Sequence, residues 1–283
     1  MTSILILERY STGSKIILGI VFTVLGYMFL RYAIKLIEMV YVLKYKKPLY
    51  VHFYLYLRRL SDSQLVILRE QFSFYKKLTK KEKKYFEHRL VSFINDKDFI
   101  GRDGLEITDE MKILIGATAV MLTFGFRDYY IGLISKIVIY PKKFYSHTNK
   151  AYHKGEFNPK LKALVLSWED FKQGFKNGKD NLNLGIHELT HAIHINSMKE
   201  RDVSSTIFSD SFKELSMLLN ANDELRDAIK VSTYFRNYAY TNQFEFLAVA
   251  IENFMETPHD FKAQFPEIYM KVRQMLNFNV ANY

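Results

Sequence analysis

The sequence predicts a predominantly helical α+β protein with a small β-sheet, preceded by an N-terminal transmembrane helix. Three observations carry this. Stretches with apolar residues at helical spacing dominate from residue 62 onward, two short β-rich runs interrupt them, and one uncharged apolar run stands near the N-terminus. With 283 residues and 48% hydrophobic content, the chain can bury the core of one substantial domain plus an appendage. It contains no cysteine, which excludes a disulfide framework and a thiolate metal site, so any bound metal must be held by histidine and carboxylate.

The apolar run extends from Ile16 to Leu30 between Lys15 and Arg31. As a helix it measures roughly 22 Å against a hydrocarbon core of about 30 Å, and snorkelling of Lys15, Arg31 and Lys35 extends its reach. No small-x-small cleavage site follows it, which favours a membrane anchor over a signal peptide. Arg9 and Lys15 precede the run, whereas Arg31, Lys35, Lys44, Lys46 and Lys47 follow it. The positive-inside bias then predicts a single-pass protein of the inner (cytoplasmic) membrane with its C-terminal domain in the cytoplasm. Residues 31–47 are expected to continue as an amphipathic helix along the membrane surface. Pro48 marks the boundary between an anchor with its juxtamembrane helix, 1–47, and a globular domain, 48–283.

Within that domain, helices are expected over 62–77 and 80–95, the second opened by the capping box Thr79-Lys80-Lys81-Glu82. Another runs from Asp109 to Phe124, with Thr108 as N-cap and Gly125 as stop. Strands follow at Lys136–Tyr140 and Ala163–Trp168, bracketing a polar loop or hairpin over 145–160. From Asn181 the chain reads as helical to its end, with segments at the motif described next, at Thr206–Leu219, at residues 242–254 and after Pro266. The net charge of +10 and the lysines between Lys76 and Lys84 accompany no nucleic-acid-binding motif, so no nucleic-acid partner is expected. Those lysines flank a turn between solvated helices, where contact with anionic lipid is equally plausible.

The residues that carry chemistry are His187-Glu188-Leu189-Thr190-His191. Positions i and i+4 share one face of a helix, so both imidazoles can reach a single Zn²⁺ while Glu188 stays beside it to act on a water. Asn181 or Asn183 can open that helix, and the strand before it suits the edge of a cleft, where an extended peptide could pair. A catalytic zinc takes three protein ligands plus water. His194 lies about 10 Å along the axis from His187, too far to share an ion with it. Glu245, in an apolar helical segment, is the third ligand expected. Glu252 sits seven residues further on and is expected to pair with a cation or to orient a histidine.

Eight blocks give the chain from about Phe53 to Phe278 a specific resemblance. They are Leu60-Ser61, Gly104 to Met111, Ile139 to Phe144, Val165 to Trp168, the His187 motif, Tyr238-Ala239, Glu245 to Val249 with Glu252, and Phe265 to Tyr269. In this order they resemble the MtfA (Mlc titration factor A) family of zinc-dependent peptidases. The resemblance implies a zincin-like, gluzincin-type domain with one Zn²⁺ held by His187, His191 and Glu245. It also implies Glu188 as general base and Tyr238 as a hydroxyl donor to the transition state. The implied function is zinc-dependent hydrolysis of peptide bonds through a zinc-activated water, with aminopeptidase activity on a peptide or protein substrate. The alternative it implies is a regulatory binding protein that sequesters a transcription regulator. The chain departs from the family pattern at Ile193-His194, where Leu-Asp is usual, and between Asn196 and Asp210, where the family's glycines are missing.

Overall fold

A computed structural model describes residues 11–146, 150–176, 178–281 and 283. Two compact units are present, one ending at Leu49 and one running from Tyr50 to Tyr283. The first is helix α1, Thr12–Tyr45. It is continuous for 34 residues, opened by the Ser11 side chain accepting from Ser14 N and closed by Lys46 in the left-handed region. The helix continues past Leu30 without a break, as expected for the residues that follow the apolar run. No Gly or Pro interrupts residues 27–45, so the backbone has no reason to break there. Its length is about 51 Å, and an 18-residue window within it is apolar enough to cross a membrane. Of the basic residues weighed for orientation, Arg9 lies outside the described residues.

In the second unit, α2 (Asp62–Gln71) and α3 (Ser73–Lys77) replace the single helix expected there, because Phe72 adopts an extended conformation between them. Helix α4 (Lys80–Asp96) carries the expected capping box, with Thr79 and Glu82 satisfying each other's backbone donors. Strand β1 (Asp98–Gly101) follows, and then α5 (Asp109–Leu122), capped by Thr108 and buried along almost its whole length. Helix α5 packs against α2 and α4 and against the motif helix, which makes it the central post of the core.

Strands β2 (Lys136–Tyr140) and β6 (Ala163–Ser167) appear where expected. The intervening stretch holds more than a loop: β3 (Phe144–Ser146) and β4 (Ala151–His153) form a hairpin, and β5 (Gly155–Asn158) joins the main sheet. His147 to Asn149, within that stretch, lie outside the described residues. The main sheet has the order β1-β2-β6-β5, parallel except for the antiparallel β5–β6 pair. This overturns the assignment of the Ala163–Trp168 strand to the cleft edge. β6 is paired on both sides, as its buried Leu164 and Leu166 require, and the edge belongs to β5. β5 escaped the sequence reading because it is four residues long and half-buried throughout, without the alternation that marks a strand.

The remaining helices are α6 (Trp168–Lys176), α7 (Leu184–Lys199), α8 (Val203–Ala221), α9 (Asp223–Ser232), α10 (Gln243–Glu256), α11 (Pro258–Gln264) and α12 (Pro266–Met275). A short 3₁₀ turn at Asn237–Tyr240 leads into α10. Helix α7 carries the histidine motif and packs against α5, α8 and α10, with Ile186, Leu189, Ala192 and Ile193 buried. Gly185 admits Phe171 at its first turn, since a Cβ there would stand 2.4 Å from the ring.

Three histidines, His88 and His194 buried and His52 partly so, couple this packing to pH. Burial lowers His52 to about 3, helped by Arg89 and Lys81, and lowers His194 to about 4; it also lowers His88, whose Nδ1 accepts from Arg58 N. A histidine whose folded pKa is depressed binds fewer protons when folded. Its stabilising contribution is therefore complete above the unfolded value near 6.5 and lost as pH falls toward the folded value. Each such group steepens the loss by at most about 1.4 kcal/mol per pH unit. Denaturant midpoints should fall between pH 7 and pH 5, and His52→Phe, which keeps the ring on Tyr85 and Phe124, should flatten that dependence.

Candidate metal centre

Asn183 opens α7 as its N-cap, accepting from Ile186 N, and its amide group donates to Gly174 O and Glu256 Oε1. The motif thus begins on a fixed turn. His187 and His191 follow on one face of the helix, their Nε2 atoms 3.1 Å apart. Helix α10 enters from Asn242, whose side chain accepts from Phe244 N and Glu245 N and so fixes the first turn on which Glu245 stands. Glu245 Oε2 lies 3.0 Å from His187 Nε2 and 3.4 Å from His191 Nε2. The three side chains form a group whose ligand atoms all lie within 4.8 Å of one another.

The protonation of His187 follows from its other nitrogen. Nδ1 lies 2.7 Å from Glu252 Oε1, and a carboxylate accepts only, so Nδ1 carries the proton and Nε2 presents a lone pair to the cluster. Arg236 places one terminal nitrogen 2.7 Å from each oxygen of Glu252, and Asn183 N donates to the same carboxylate. The Arg236 nitrogen 3.2 Å from His187 Nδ1 is a second donor on the shared oxygen, not a partner for the imidazole.

These donors fit a divalent cation. The buried Glu245 Oε2 finds no hydrogen-bond donor although two imidazole nitrogens stand beside it. Tetrahedral coordination at zinc distances would put ligand atoms about 3.3 Å apart, close to the separations observed. Until a metal displaces it, a proton competes for His187 Nε2: burial opposes protonation, yet the carboxylates of Glu245, Glu252 and Glu188 raise the imidazole to about 9. The cluster therefore attracts positive charge.

Glu188 lies outside the ligand group and is buried, which raises its pKa. It faces β5: a Cβ on Gly155 would approach Glu188 Cγ to 2.6 Å, so only glycine lets the edge strand pass this close. Tyr238, on the 3₁₀ turn, is half-exposed with its ring centroid 5.8 Å from that of His187. Burial raises the phenol, and the charges of Glu245 and Glu188 raise it further, so it remains a donor. His187, Glu188, Gly155, Arg236 and Tyr238 line one cavity of about 580 Å³. His194 turns away from it, with Phe208, Phe212 and Phe244 around its ring.

A model of the family described as glucose-regulated metallo-peptidase M90 matches residues 54–277. The chain belongs to this family. It is also similar to an uncharacterized protein of Synechocystis sp., with 22% identity over 242 residues that cover 78% of this chain and 85% of that protein. The M90 family is the MtfA family that the sequence blocks resemble, and membership in a metallopeptidase family implies a bound metal.

In this M90 member, sequence reasoning found the converging side chains but missed Arg236. No motif marks it, and its partner Glu252 lies 16 residues away across the 3₁₀ turn. Both have a measurable role. Glu252→Gln and Arg236→Met should each weaken metal affinity by about 10–100-fold, read by competition with a chromophoric chelator, because His187 loses its orienting carboxylate or that carboxylate loses its counter-charge.

Proposed function

We propose that this chain is a zinc-dependent metallopeptidase anchored in the inner membrane, with its peptidase domain facing the cytoplasm. The observation that carries the reading is the convergence of His187, His191 and Glu245 on one point, with the carboxylate of Glu188 beside it but outside the group. A zinc ion held by those three side chains would supply Lewis acidity toward a water and toward the carbonyl oxygen of the scissile bond. Glu188 accepts the proton of the attacking water and passes it to the leaving amine. The Tyr238 hydroxyl donates to the oxygen on which negative charge develops. Glu252 and Arg236 keep the Nδ1 proton of His187 in place, so its Nε2 stays free for the metal.

The substrate is a peptide or protein. Among the described residues β5 pairs with β6 alone, so its outer backbone groups can bind an extended chain beside Glu188. Cleavage from the amino terminus is the finer reading and rests on the family resemblance. The anchor reading rests on the length and apolar surface of α1. Its orientation rests on the basic residues that follow Leu30, and residues 48–283 would then act as the peptidase domain.

Glu188→Gln is the informative substitution, since it removes the proton acceptor and leaves the three ligands intact. Peptide hydrolysis should fall by at least about 100-fold while the metal content stays that of the wild type. Undiminished hydrolysis would rule out this mechanism. Intact binding of a regulator by the inactive variant would instead favour a sequestering role.

A further inference from the structure

The segment between α1 and α2 carries a surface that the metal centre does not use. Phe53, Leu55 and Tyr56 are exposed, Leu55 by 91%, although the segment is held firmly to the domain. Between them, Tyr54 turns inward and accepts a hydrogen bond from Arg89 Nε at 2.6 Å. Val51 O accepts from Arg89 as well, and Arg58 N donates to His88 Nδ1. These ties hold Tyr54 inward, while Phe53, Leu55 and Tyr56 on either side of it stay in solvent. A fully exposed leucine between two exposed aromatics is unfavourable in water, and packing inside the domain does not require it.

Charge and chain continuity identify what covers this face. Arg58 and Arg59 follow after the half-buried Leu57 and are exposed. His52, next to Phe53, stacks on Tyr85 at 4.5 Å, and Lys81 stands 5.9 Å from the same ring, which brings the lysine-rich start of α4 to this face. Leu55 lies ten residues after the last residue of α1, a span of at most about 35 Å. Aromatic and leucine side chains flanked by arginine and lysine suit the interface of an anionic bilayer, with rings at headgroup depth and cations on phosphates.

We propose that Phe53, Leu55 and Tyr56 insert into the headgroup region of an anionic membrane and that Arg58, Arg59 and Lys81 hold its phosphates, a second lipid contact made by the peptidase domain itself. The inference rests on reading α1 as a membrane anchor. It makes the bilayer a fixed platform for the domain, beyond a point of tethering.

The cysteine-free chain permits a direct test. Single nitroxide labels are placed on full-length Leu55→Cys and on Val231→Cys, a position 82% exposed on α9, after reconstitution into phosphatidylcholine vesicles with and without phosphatidylglycerol. Paramagnetic relaxation by oxygen, which partitions into lipid, is compared with that by a water-soluble nickel chelate. The expected result is a severalfold higher oxygen-to-nickel ratio at 55 than at 231 in the anionic vesicles. The ratio should decline in neutral vesicles and in an Arg58→Glu, Arg59→Glu background. Equal, water-like ratios at both positions in protein that sediments with the vesicles would overturn the inference and leave the face to a protein partner. Protein that fails to sediment with either vesicle would overturn the anchor reading, and this inference with it.

Discussion

The buried carboxylate of Glu252 holds the candidate centre together. It has no exposed surface and receives the His187 Nδ1 proton, both terminal nitrogens of Arg236 and the backbone N–H of Asn183. Those contacts join the start of α7, the 3₁₀ approach to α10 and α10 itself. A carboxylate at this depth is tolerable only because four donors and one cationic charge surround it, and removing one partner of such a pair typically costs about 3–5 kcal/mol. The same interaction sets the His187 tautomer, so the stability of the fold and the ligand geometry depend on one group.

The other contacts at the site follow from that junction. Asn183 both donates its backbone N–H to Glu252 and caps α7, so the motif helix cannot rotate without breaking its own first turn. Glu245, two turns before Glu252 on α10, is thereby brought beside both imidazoles. Gly155 closes the arrangement from the opposite side by allowing β5 to pass against Glu188. The Glu188 carboxyl and the sheet edge thus meet through backbone placement that no single residue type advertises.

That difference explains what was legible in the sequence. Helical periodicity marked α4, α5, α7 and α10, and the capping residues Thr79, Thr108 and Asn183 appear in the roles that side-chain chemistry assigns them. The i, i+4 histidines and a carboxylate in an apolar helix announced a metal group because such residues are costly to bury without purpose. What stayed hidden was set by tertiary contact. β5 has no alternation of its own and becomes a strand only by pairing with β6. Arg236 looks like a loop cation until Glu252 is placed beside it, and His194, which resembles a further ligand, is absorbed by an aromatic pocket.

In the proposed function His187, His191 and Glu245 together hold one zinc ion. Metal content of the purified full-length protein, measured by plasma mass spectrometry beside His187→Ala and Glu245→Ala, tests it most directly. The expected result is one zinc per wild-type chain and loss of it in both variants. A wild type that binds no metal, or a Glu245→Ala variant that keeps a full equivalent, would contradict it.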